Sequence, residues 1–206
     1  LAPALLIRFS QAQRAIVGLP IVTVVCIGAL TLASRDLAPG PLLAMIGLLF
    51  GLIYALPYIV DRLLAPHLGG LARTLAYPAA VTALGFAVAV ASPFGTSATA
   101  AYGQYGLLPL VQLVSLTGIW GLIFLVAWFG PVANALWERA SDATAARRAA
   151  AVFAGVLLAA LLFGSLRLAF FPVQGPTVRV AALAPDEESP FAFSLLALAG
   201  ATEAER

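Results

Sequence analysis

Residues 74–137 read TLAYPAAVTALGFAVAVASPFGTSATAAYGQYGLLPLVQLVSLTGIWGLIFLVAWFGPVANALW, and no charged residue occurs among them. A water-exposed surface built from this stretch would carry large apolar patches, which soluble monomers rarely expose. Lipid is its natural solvent, since a helix of about 20 mainly apolar residues spans the hydrocarbon core of a bilayer. The rest of the chain agrees, because 62% of the 206 residues are hydrophobic and 10% are charged. The sequence therefore predicts an integral membrane protein.

Five apolar runs are long enough to cross a membrane as helices. We predict an all-α polytopic helix bundle over residues 1–171. Its spans are predicted at residues 15–33, 42–60, 75–91, 110–132 and 149–171. Gly47 and Gly51 in the second run are a small-xxx-small pair, which predicts the close approach of a neighbouring helix.

The distribution of arginine predicts the orientation of this bundle. All 11 basic residues are arginine, and the formal net charge is +2. One side of the predicted membrane carries Arg8, Arg14, Arg62, Arg73, Arg139, Arg147 and Arg148. The other side carries at most Arg35, Arg167, Arg179 and Arg206. Arginine-rich short loops stay in the cytoplasm, so we expect a cytoplasmic N-terminus and an extracytoplasmic tail. Because the arginines are scattered and form no basic stripe, nucleic acid is excluded as a partner.

The tail, residues 172–206, differs in character from the bundle. Residues 172–176, PVQGP, have the composition of a turn-rich linker. Residues 177–183, TVRVAAL, predict a strand, and a helix is predicted to start in residues 191–206. One strand and part of a helix cannot bury a core. We therefore expect these residues to begin an α/β domain that the chain does not complete, and the chain to be a piece of a longer protein.

Neither of the two residue types that most often bind metals or attack substrates stands in a reactive context. Cys26 lies among Val24, Val25 and Ile27, without the base or cation that stabilises a thiolate, so we expect an inert apolar cysteine. His67 is the one histidine and lies in a loop without nearby carboxylates, which predicts a solvated side chain. We expect no metal and no cofactor.

Three charged residues at or near the ends of predicted spans have structural interpretations. Asp61 and Arg62 are adjacent at the inner end of the second span, where opposite charges anchor a helix at the membrane surface. Arg167 lies near the outer end of the last span and is expected to reach toward the lipid headgroups. By this assignment, no carboxylate lies within a span.

Residues 92–109 interrupt the apolar pattern with glycine, proline, hydroxyl and aromatic residues and without charge. We predict a loop or short re-entrant arm at the outer face. Tyr102, Gln104 and Tyr105 are the candidate substrate-binding residues of this arm. The alternative, which composition alone favours, is a loop whose aromatic residues merely lie at the membrane interface.

Several short segments of the sequence resemble segments of the apolipoprotein N-acyltransferase family. They are SPFGT at 92–96, YGQYGLLPLVQ at 102–112, SLTGIWG at 115–121 and FLVAW at 124–128. The strand at 177–183 is similar to the first strand of that family's nitrilase-like domain. The resemblance implies a bacterial inner-membrane enzyme with that domain outside the cytoplasm. It also implies transfer of an acyl chain from a phospholipid to the N-terminal amine of a lipoprotein.

The resemblance does not extend to the catalytic residues. The family uses a Glu-Lys-Cys triad, whereas this chain contains no lysine and has its one cysteine in the first predicted span. The resemblance therefore implies that the catalytic residues lie outside these 206 residues and that the chain alone is inactive. A transporter or channel fragment is the alternative, although neither an internal repeat nor a mid-membrane charge is visible. A membrane sensor module is the third and least favoured of the functions considered.

Overall fold

The computed structural model describes residues 5–8, 15–33, 40–92, 95–96, 99–137 and 143–171. The described part is all-helical, as predicted. The helices are α1 (Ala15–Ala33), α2 (Gly40–Leu64), α3 (Gly70–Ala91), the short α4 (Leu108–Val111), α5 (Val114–Trp137) and α6 (Ala143–Phe170). The predicted strand and helix of the tail lie outside the described residues.

Four helical segments of the described part are long and apolar enough to cross a membrane. They are Gly47–His67, Gly70–Ala91, Val114–Trp137 and Ala143–Phe170. In α1 the described apolar segment, Gly18–Ala29, is shorter than such a span. The prediction of a helical membrane bundle is thus confirmed with four candidate spans, where the sequence predicted five.

The long helices pack as an up-and-down series. α1 packs on α2, α2 on α3, and α3 on both α5 and α6, which also pack on each other. The contact between α1 and α2 is close because a side chain on Gly51 would overlap the backbone of Ile27, and one on Gly47 would overlap Thr31. The predicted close approach at these two glycines is confirmed.

The main core fills the space between α3, α5 and α6. Its centre is Trp128, which is buried with Leu122, Leu125 and Val132 of the same helix. The ring of Phe153 from α6 meets Trp128 edge-on, with 5.5 Å between ring centroids. The indole N–H of Trp128 donates a hydrogen bond of 3.0 Å to the hydroxyl of Thr74 on α3. Apolar packing therefore joins the three helices, and a hydrogen bond inside this core links α3 to α5.

A second core joins α1, α2 and α3 around a pair of tyrosines. The rings of Tyr58 and Tyr77 lie 5.0 Å apart, and Cys26 and Ile7 are buried in the same cluster. Ile7 belongs to a helical turn at residues 5–8. Cys26 is thus a core residue, as expected, although tyrosines as well as aliphatic side chains surround it.

One end of the bundle, which we call the arginine end, carries the ends of α2 and α5 and the starts of α3 and α6. The guanidinium of Arg8 lies 5.0 Å from the ring centre of Trp137, the last residue of α5. Arg62, Arg73 and Arg147 also belong to this end, but they lie inside helices and not in the predicted loops. Helices continue past the apolar run here because the aliphatic stem of arginine covers apolar surface while its head reaches polar surroundings.

Asp61 corrects the expectation that no carboxylate lies within a span. α2 continues to Leu64, and Asp61 is only 1% exposed. The reason is helical periodicity: Asp61 follows the buried Tyr58 by three residues and therefore lies on the same inward face. The interpretation of Asp61 as a surface anchor is wrong.

α5 is not the continuous helix that the fourth span predicted. Gly118 has φ 64° and ψ −175°, so the helix is broken between Thr117 and Ile119. Glycine adopts this positive φ at no steric cost, whereas a side chain would be strained. The predicted start of the span, at residue 110, belongs to the separate helix α4.

Candidate functional site

The segment that joins α3 to α5, residues 92–113, we call the crossover. α3 ends at Ala91, and Ser92 already has extended backbone angles of φ −101° and ψ 139°. Gly95, with φ 56°, makes a turn in which its N–H donates to the carbonyl of Ser92 at 3.1 Å. A 3₁₀ helix, Ala100–Gln104, and α4 follow. The prediction that residues 92–109 are not a membrane span is confirmed for the residues described.

The crossover is packed into the bundle. Ala101 and Leu110 are each 4% exposed and belong to the main core. Gly164 of α6 lies so close to Pro109 that a side chain at this position would overlap the carbonyl group of Pro109. These described residues of the crossover therefore pack against the bundle, and Pro109 contacts α6 directly.

The three predicted site residues lie together on the 3₁₀ helix and the residue that follows it. Tyr102 is about half exposed, and its hydroxyl shares a hydrogen bond of 2.9 Å with the hydroxyl of Thr96. Tyr105 is 81% exposed, whereas Gln104 is partly buried. This arrangement presents two amphipathic rings at one end of the bundle, as is common at membrane interfaces. Their role in substrate binding stays a prediction.

Arg167 joins α6 to the start of α5, an interaction that sequence reasoning missed. Its guanidinium donates a hydrogen bond to the hydroxyl oxygen of Ser115. The hydroxyl of Ser115 in turn donates to the carbonyl of Gln112, at 2.7 Å. The two side chains are 52 residues apart in the chain, so no local pattern signals their pairing.

We call this end of the molecule the crossover end. Large apolar and aromatic side chains are exposed around it. They include Val90, Tyr102, Tyr105, Leu107, Leu108, Leu116, Phe170 and Phe171. The last described residue, Phe171, follows α6 directly and lies four residues after Arg167.

The remaining candidate residues form no recognisable catalytic group. Within the described ranges, no cluster of three His, Cys, Asp or Glu side chains could hold a metal ion. His67 is exposed in a 3₁₀ helix, Ala65–His67, at the arginine end. Cys26 is a buried free thiol in the second core, far along the chain from the crossover.

Comparisons of the chain with protein-family models, with curated proteins and with solved structures find no match.

Proposed function

We propose that this chain is the membrane-embedded part of an apolipoprotein N-acyltransferase-like enzyme. Such an enzyme moves an acyl chain from a phospholipid to the N-terminal amine of a lipoprotein. One observation carries the proposal: the described part of the crossover, the segment that bears the resemblance to that family, packs against the end of the bundle where α6 ends. A domain that follows α6 would begin at the crossover end of the bundle, where Tyr102 and Tyr105 are exposed.

In this proposal the bundle positions the catalytic domain at the membrane, and residues outside this chain carry out the reaction. Acyl transfer through a thioester needs a thiolate, a base and a cation near the oxyanion. Cys26 is enclosed by the second core, and the chain has no lysine. The bundle would hold the catalytic domain at the outer leaflet, where Tyr102, Gln104 and Tyr105 meet lipid or acceptor. The crossover end would then be extracytoplasmic, in a bacterial inner membrane.

The test uses the full-length protein in membranes, a phospholipid donor and a diacylated lipopeptide acceptor. Mass spectrometry should detect an acceptor that has gained one acyl chain. Tyr105→Ala should lower kcat/KM about tenfold, since a stacked aromatic contact contributes roughly 0.5–1.5 kcal/mol. Tyr54→Ala, a matched change at an exposed tyrosine of α2, should leave kcat/KM unchanged. Absence of acylation by the unaltered full-length protein would refute the proposal.

A second candidate, a transporter or channel, is favoured by one observation. Asp61 is buried within α2, and ionisable residues inside membrane helices often line ion or substrate pathways. Proton or sodium flux into proteoliposomes that contain the full-length protein, lost in Asp61→Asn, would support this function. Absence of flux would leave Asp61 as a structural residue of the helix contact.

A further inference from the structure

Arg167 is a cation without an acidic neighbour in the helices around it. The elements that pack on α6 are α3, α4 and α5. The described residues 70–137 and 143–171, which contain these helices, include no aspartate or glutamate. A partly buried guanidinium near the end of a candidate membrane-spanning helix is costly unless an anion compensates its charge. An anion from outside these helices would therefore stabilise this site.

The guanidinium is held in a defined orientation. Within the described part of the chain, the guanidinium donates a hydrogen bond to the hydroxyl of Ser115. That hydroxyl in turn donates to the carbonyl of Gln112. Guanidinium has five N–H donors in a planar fork. Since one donor binds Ser115, others are left to meet an anion, and the fork matches the paired oxygens of a phosphate group.

The surroundings of Arg167 suit a lipid phosphate. Leu116 next to Ser115 and Leu166 next to Arg167 are both more than half exposed. Leu158, Leu162 and Leu166 recur once per turn on α6 and are all exposed. This row of leucines ends one residue before Arg167, which lies about 100° further round the helix, so exposed apolar surface for an acyl chain lies within one turn of the cation.

We propose that Arg167 binds the phosphate of a membrane phospholipid, with Ser115 as the residue that positions its guanidinium. The lipid is a resident ligand at the contact between α5 and α6. The proposal rests on the helical membrane bundle and not on acyl transfer, and it predicts binding whether or not the protein is an acyltransferase.

The test measures binding by native mass spectrometry of the full-length protein in detergent. The probe is palmitoyl-oleoyl phosphatidylglycerol, compared with palmitoyl-oleoyl glycerol, which has the same chains without phosphate, and with inorganic phosphate alone. The phospholipid should bind at least about tenfold more tightly than either, because a charge-assisted hydrogen bond contributes enough for roughly that factor. Equal binding of inorganic phosphate would overturn the lipid assignment, and equal binding of the diacylglycerol would overturn the phosphate assignment.

Substitutions assign the binding to these residues. Arg167→Gln should weaken phospholipid binding about tenfold, whereas Arg148→Gln should not, because it removes the same charge from the opposite end of α6. Ser115→Ala should weaken phospholipid binding about threefold. Ser115→Thr, which keeps a hydroxyl group, should bind the phospholipid as tightly as the unaltered protein. A purely structural role of Ser115 would not require this difference between the two variants. Thermal unfolding in detergent should show that all four variants are folded. Wild-type binding by Arg167→Gln, or an equal loss in Arg148→Gln, would refute the proposal.

Discussion

Most hydroxyl groups within the helices are satisfied by their own helix. The threonines at positions 23, 31 and 82 each donate to the carbonyl four residues earlier, at 2.8–2.9 Å. Thr74 differs because it donates to the carbonyl of Leu71 and also accepts from the indole of Trp128. It is therefore the hydroxyl among these four that links two helices, and its loss would leave the Trp128 N–H without this acceptor in the main core.

We predict that Thr74→Val lowers the free energy of unfolding in detergent by about 1 kcal/mol, the usual contribution of a hydrogen bond between membrane helices. Thr82→Val is the matched control, since its hydroxyl binds only its own helix, and it should change the free energy by less than half as much. The measurement is reversible unfolding in mixed micelles with increasing SDS. Equal losses in both variants would mean that the contact with Trp128 adds nothing.

At this scale the sequence allowed only part of the site to be predicted. Tyr102, Gln104 and Tyr105 lie within four consecutive residues of the chain, so their common location followed from the local pattern. The pairing of Arg167 with Ser115 depends on how α5 and α6 pack, which local composition does not encode. Asp61 was misplaced for a related reason: the apolar run ends before it, but the helix and its inward face continue.

The helices depend on a few close approaches that involve glycine. Gly164 admits the carbonyl of Pro109 and so determines where the crossover rests on α6. Gly155 lies on the same helix about nine residues earlier and faces open space. Alanine substitutions at these two glycines can separate the effect of a packing contact from the effect of glycine on helix stability. Alanine stabilises a helix by about 1 kcal/mol relative to glycine.

We therefore expect opposite results from two alanine substitutions. Gly164→Ala should destabilise the protein by roughly 1–3 kcal/mol, as overpacking against backbone usually does. Gly155→Ala should be neutral or stabilising by up to about 1 kcal/mol. Limited proteolysis should also cut the crossover of Gly164→Ala faster than that of the unaltered protein. A stable Gly164→Ala variant whose crossover resists proteolysis would show that the close contact between Gly164 and Pro109 is not needed for the stability of the protein.

Element boundaries were harder to predict than element types. Apolar composition identified the long helices, and the polar, glycine-rich composition of residues 92–109 identified the crossover. The break at Gly118 was missed because glycine is common in membrane helices and its φ depends on the neighbouring chain path. The start of α3 at Gly70 and the end of α5 at Trp137 were missed because apolar runs do not record how far a helix extends into the interface.

At the scale of the whole molecule, the two ends of the bundle differ in charge. The arginine end contains Arg8, Arg62, Arg73, Arg147 and Arg148, whereas the described crossover end contains Arg167. By the positive-inside rule the arginine end is expected in the cytoplasm. Because successive long helices run in opposite directions, this assignment also predicts the side of the membrane on which each connection between them lies.

This orientation predicts the labelling of single cysteines in a Cys26→Ser background. His67 and Gly106 are both exposed and lie at opposite ends of the bundle. In intact cells a membrane-impermeant thiol reagent should label Gly106→Cys, and it should label His67→Cys only after the cells are permeabilised. The reverse pattern would invert the topology, and with it the assignment of the crossover to the outer face.

The bond between Ser115 and Arg167 also has a consequence for biosynthesis. A ribosome that adds roughly 5–20 residues per second needs about 3–10 seconds to make the 52 residues between them. During that interval the nascent crossover has already been made, but neither Gly164 nor Arg167 exists to receive it. Its polar backbone must then be accommodated by the insertion machinery or by water at the membrane surface. The emergence of α6 is therefore the step that gives the crossover its contact with Gly164, and we expect nascent chains that stall before it to expose the crossover to quality-control proteases.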